Sequence, residues 1–75
     1  MLRLKLIAPN QTKISTSDGK EVFFSYNTPV AAFIPGVGYV RTSEHFSSTT
    51  SKHINAWLGK GTGVLVDQEV LESLL

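Results

Sequence analysis

Apolar and polar residues alternate from the first position: Leu2, Leu4 and Leu6 are interleaved with Arg3 and Lys5. That period of two predicts a half-buried strand that turns its basic residues to water and ends at Pro9-Asn10. The next signal is Asp18-Gly19, between "TKISTS" and "KEVFFSY". An Asp-Gly pair suits a two-residue hairpin loop, which would set Ile14 opposite Phe23 and Ser15 opposite Val22. Ile14 and Phe23 would then share one face, and Val22, Phe24 and Tyr26 the other. Aromatics on both faces predict a central strand, or one with a helix over it. Asn27-Thr28-Pro29 makes a corner, and "VAAFI" runs on to the turn Pro35-Gly36-Val37-Gly38 and returns as "YVRT". An even-numbered loop there pairs Ile34 with Tyr39 and Ala32 with Arg41.

The period changes near residue 50. Ile54, Trp57 and Leu58 recur at i, i+3 and i+4, the mark of a helix with one apolar face. Thr50 or Ser51 is placed to cap its start, and Gly59 to end it. "GKGTG" is a flexible connection, and "VLV" is a candidate short final strand. Asp67 is placed to cap a terminal helix carrying Val70, Leu71, Leu74 and Leu75, with Val66 and Leu71 spaced as a hydrophobic staple. The expected fold is therefore α+β. A small antiparallel β-meander of 4–5 strands packs on one helix at about 51–58, and a short helix follows at about 68–74. Trp57 is the expected anchor of helix on sheet.

At 75 residues the chain is expected to be one domain, 1–75, with a small core. It has no cysteine, which rules out disulfides, thiolate metal sites and cysteine nucleophiles. Without such staples, dimerising through an edge strand such as 2–7 is one route to added stability. Seven basic residues stand against six acidic ones, scattered rather than clustered, and the net charge is +1. That argues against a strongly cationic nucleic-acid binder. The longest apolar run, Val30 to Ile34, is too short to span a membrane, and no secretory h-region follows the amino terminus. A cytoplasmic protein is expected, with no membrane partner.

Chemistry is sparse. His45 and His53 are not spaced as two ligands on one helical face, so neither a metal nor another cofactor is expected. No nucleophile elbow surrounds any serine, and "PGVGYV" and "GKGTG" do not match phosphate loops. The chain is not expected to be an enzyme. Lys52, His53 and Asn55 fall on the expected polar side of the helix, in or near its first turn, where free amides favour anions and polar partners. With Arg41 they are the candidate partner-binding residues. Aromatics on a small sheet near Arg3, Lys5 and Arg41 leave single-stranded nucleic acid as the alternative partner.

The segment from Tyr26 to Leu58, "YNTPVAAFIPGVGYVRT…SSTTSKHINAWL", resembles small uncharacterised proteins of bacteriophages and some prokaryotic genomes. These share a Tyr-x-Thr-Pro-Val-Ala run, a glycine turn, then Thr-Thr-Ser-x-His-Ile-Asn and a tryptophan. Related sequences tend to carry tryptophan where Phe46 stands. The resemblance implies no activity. It implies a context, a phage or mobile-element accessory protein working inside a host cell, and hence a non-enzymatic module that binds or inhibits a host protein.

Overall fold

A computed structural model of the protein describes residues 3–8, 10–59 and 63–74. Five strands run as an antiparallel meander: β1 Arg3–Ala8, β2 Gln11–Ser15, β3 Glu21–Ser25, β4 Thr28–Ile34 and β5 Gly38–Thr42. Helix α1, Ser48–Leu58, then carries the chain to β6, Val64–Val66, which lies parallel to β5. Helix α2, Gln68–Glu72, closes the described chain. Among the described residues the sheet therefore has six strands in sequence order, more than the expected four or five. Its last strand is parallel because a helical crossover, not a hairpin, delivers it. Leu2, Leu75 and most of the "GKGTG" connection lie outside the described residues.

Both long hairpins differ from expectation by one residue, for the same reason. Ser15 pairs with Glu21 and Ile14 with Val22, while Ile34 pairs with Gly38 and Ala32 with Val40. Each loop has three residues rather than an even number. In the first, the Gly19 amide bonds back to the Thr16 carbonyl (3.2 Å) and Gly19 takes φ +92°, the turn-plus-bulge form of a three-residue loop. Asp18 accepts the Thr16 hydroxyl, and mainly for that reason its carboxyl titrates below the ordinary range. In the second, the Val37 amide bonds to the Ile34 carbonyl (2.9 Å) around Pro35 and Gly36 at φ +83°. A one-residue slip moves side chains to the opposite face, so Val22 shares a face with Ile14 while Phe23 does not.

Each face carries its own helix, which corrects the expectation of a sheet packed on one. On the α1 face, Phe23, Val30, Ala31 and Ile54 form a buried cluster completed by Trp57 and Leu58. A bulge in β4, where Phe23 pairs with Ala31 but Phe24 with Pro29, lets Val30 and Ala31 join the same cluster. The Trp57 ring stacks on Phe23 with centroids 5.1 Å apart and planes 8° apart, as expected of the anchor. On the α2 face, Val22, Ala32, Val40 and Leu71 form the second cluster, with Phe24, Ile34, Val66 and Leu74 against it.

Helix ends also moved. Serine 47, one turn before the expected caps, accepts the Thr50 amide (3.1 Å), so α1 begins at Ser48. Asp67 holds the cap position of α2, but its side chain makes no capping bond. Val70 is exposed, and buried Gln68 takes an inward position instead, its Nε2 donating to the Pro29 carbonyl at 2.8 Å.

Candidate functional site

The four residues singled out from the sequence do not converge. On α1, successive residues are about 100° apart, so with Ile54 facing the sheet, His53 and Asn55 fall on opposite flanks and Lys52 on the exposed crest. Asn55 reaches β5, where its Oδ1 accepts from Arg41 Nη2 at 2.9 Å. His53 reaches β3, where its Nδ1 lies 2.8 Å from the Ser25 hydroxyl. Arg41 and Asn55 thus form one pair; His53 belongs to a different cluster.

That second cluster is a polar seam beneath the start of α1. Ser25 is only 2% exposed, and its hydroxyl also lies 3.2 Å from Thr50 Oγ1. Thr50 in turn accepts from the capping Ser47 hydroxyl at 3.2 Å. The Tyr26 ring leans over His53, centroids 5.9 Å apart, from a backbone held at φ +57°. A serine bonded to a histidine has the outline of a catalytic dyad. A nucleophile, however, needs open space for the reacting atom on one side, and here α1 closes over the hydroxyl. The arrangement ties α1 to β3. Replacing Ser25 with alanine is expected to lower stability by about 1–2 kcal/mol, because it leaves Thr50 and His53 short of a partner. Urea denaturation checks this; an unmoved midpoint would show that the seam carries no stability.

Sequence reasoning missed this seam because its members are 25 and 28 positions apart in the chain. The available signal was a lone serine in an apolar strand, "EVFFSY", where a buried hydroxyl must find a partner.

The feature least explained by folding lies elsewhere. Leu4 and Leu6 were expected to be half-buried, yet they are 71% and 67% exposed. The cause is reach. Helix α2 has five residues and covers the middle of its face, around Val22, Ala32 and Val40, so β1 and β2 lie beyond it. On that uncovered half, Leu4, Thr12, Ile14, Phe24, Tyr26 and Asn27 line a shallow groove of about 230 Å³. Across the sheet, Lys5 stands directly opposite Lys13, whose ammonium is 3.3 Å from Glu21. One side of this end is apolar and the other is basic.

A wider, open concavity of about 460 Å³ lies at the other end, between β5, the start of α1 and β6, and includes Arg41, Glu44, His45 and Ser51. Among the described residues, no three histidine or carboxylate groups come together as a metal site would require. No described helix is long and apolar enough to cross a membrane.

Comparison with known proteins finds one family model, described as a family of unknown function (DUF8033), which matches residues 2–73. No curated protein and no solved structure matches.

Proposed function

The chain belongs to the DUF8033 family, which has no function to pass on, and we propose that it is a non-enzymatic module that binds another protein through the uncovered half of its sheet. The observation that carries this reading is the exposure of Leu4 and Leu6 beside an apolar groove. Contiguous apolar surface facing water is costly to keep, and on folded proteins it marks places where something docks. The resemblance of Tyr26–Leu58 to phage proteins supports a phage-borne accessory in the host cytoplasm, its partner a host protein that it binds or inhibits. Lys52, His53, Asn55 and Arg41 stay outside this surface. Nucleic acid is the weaker partner, because Phe23, Trp57, Tyr39 and Phe33 engage one another in a chain of ring contacts rather than standing free for bases.

The test is photo-cross-linking in cells, with a benzophenone side chain placed at position 4 or, separately, at position 52. Position 4 is expected to give a discrete protein adduct that survives nuclease, and position 52 none. Adducts formed only from position 52 would transfer the function to the α1 crest. Adducts that nuclease removes would make the protein a nucleic-acid binder and overturn the reading.

A further inference from the structure

We propose that β1 is an acceptor edge for an extended segment of the partner, and that this segment alternates apolar with acidic residues. The proposal rests on the protein-binding reading above and names the chemistry of what is bound. Strand β1 ends the sheet order, so only one of its sides pairs with a described strand. An unpaired edge presents backbone donors and acceptors ready for another strand. Side chains of an added strand would continue both faces of the sheet.

The two faces ask for different things. On the α2 face, an added strand would bury apolar side chains against Leu4 and Leu6. On the α1 face it would meet Lys5, which already stands opposite Lys13. Neither β1 (RLKLIA) nor β2 (QTKIS) contains a carboxylate, and the Lys13 ammonium already has Glu21. A glutamate or aspartate directly across from Lys5 would supply the missing opposite charge.

Charge also argues against a second copy of this chain on the same edge. Antiparallel pairing of β1 with itself keeps the leucines on one face in three central registers. With Leu4 opposite Leu6, Lys5 meets Lys5; with Leu4 opposite Leu4, Lys5 meets Arg3. Centring on Leu6 brings in the irregularity between Leu6 and Ala8, which breaks the ladder. Pairing β1 with β6 of another copy gives only Val64, Leu65 and Val66, with no charge to answer Lys5. An acidic, apolar-alternating strand satisfies every constraint that a second copy violates.

The experiment titrates the intact chain with two capped synthetic heptapeptides, one alternating valine with glutamate and one alternating valine with lysine, read by backbone amide NMR. The glutamate peptide is expected to shift the amides of residues 3–6 and to bind about tenfold more tightly than the lysine peptide at low salt. Added salt narrows that gap. Lys5→Glu is expected to invert the preference, and joint replacement of Leu4→Ser and Leu6→Ser to weaken both peptides. The charge-swapped peptides need no variant, so the test does not depend on any substitution folding. Equal affinities, or shifts centred on β6 or α1, would overturn the proposal. So would concentration-dependent broadening of β1 in the peptide-free protein, since that would make the occupant a second copy. Cross-linking from position 4 without peptide binding would remove strand addition while leaving the protein-binding reading intact.

Discussion

Phe23→Ala is expected to cost about 3–5 kcal/mol, enough to take a domain of this size to the brink of unfolding. Phe23 is completely buried and is the largest fully buried side chain among the described residues. It forms the floor on which Trp57 lies, and it shares a cluster with Val30, Ala31 and Ile54. Two of those neighbours, Val30 and Ala31, are small or short, and both sit on β4, whose hydrogen bonds to β3 and β5 hold them in place, so the cavity cannot collapse easily. Removing the ring also frees the indole from its stacking partner, and with it the main grip of α1 on the sheet. Thermal denaturation followed by circular dichroism should show a midpoint lower by more than about 15 °C, with tryptophan emission red-shifted in whatever stays folded. Phe23→Leu, which keeps most of the volume, should lose much less. A small drop for the alanine variant would mean that α1 is held chiefly by the polar seam at Ser25.

The second large effect is expected at Leu71→Ala, at about 2–4 kcal/mol, and it should be uneven across the molecule. Helix α2 has only five residues and cannot persist without packing. Its attachments are Leu71, which is almost fully buried, Leu74, and the Gln68 bond to the Pro29 carbonyl. Lys20 adds a 3.1 Å bond to the Leu74 carbonyl. Truncating Leu71 removes the apolar contact at the centre of these attachments. Release of α2 would uncover Val22, Ala32 and Val40 and join them to the already open strip of Ile14 and Leu4. Hydrogen exchange should therefore accelerate first in α2 and β6, before β3 and β4, and a hydrophobic dye should bind. Uniform acceleration everywhere would instead show that α2 and the sheet unfold as one unit.

The elements themselves were legible in the sequence because their signals are local. Ile54, Trp57 and Leu58 announce α1 by spacing, and the turn residues near Gly19 and Gly36 mark both hairpins. What local signals leave open is parity. An Asp-Gly pair fits a two-residue loop, yet Thr16 and Lys20 close a three-residue one, and a single extra residue exchanges the faces of Val22 and Phe23. Strict alternation at Leu4 and Leu6 predicts a two-faced strand, but whether a face is covered depends on how far a distant helix reaches. The same limit explains the polar residues of α1. His53 and Asn55 looked free because their partners, Ser25 and Arg41, lie on strands far away in sequence. Of the four candidates, Lys52 is exposed, while Arg41, His53 and Asn55 are half-buried.

The order of the strands has a consequence for the chain as it is made. β1 to β5 pair neighbour with neighbour and can zip together as they leave the ribosome, with no need for later residues. Both covers of that sheet, α1 and α2, are encoded after residue 47. Until the last third of the chain has emerged, a nascent sheet carries Phe23, Val30, Val22 and Val40 bare on its two sides. A message cut short within that third leaves an exposed, sticky meander for chaperones or proteases to deal with, rather than a smaller working protein.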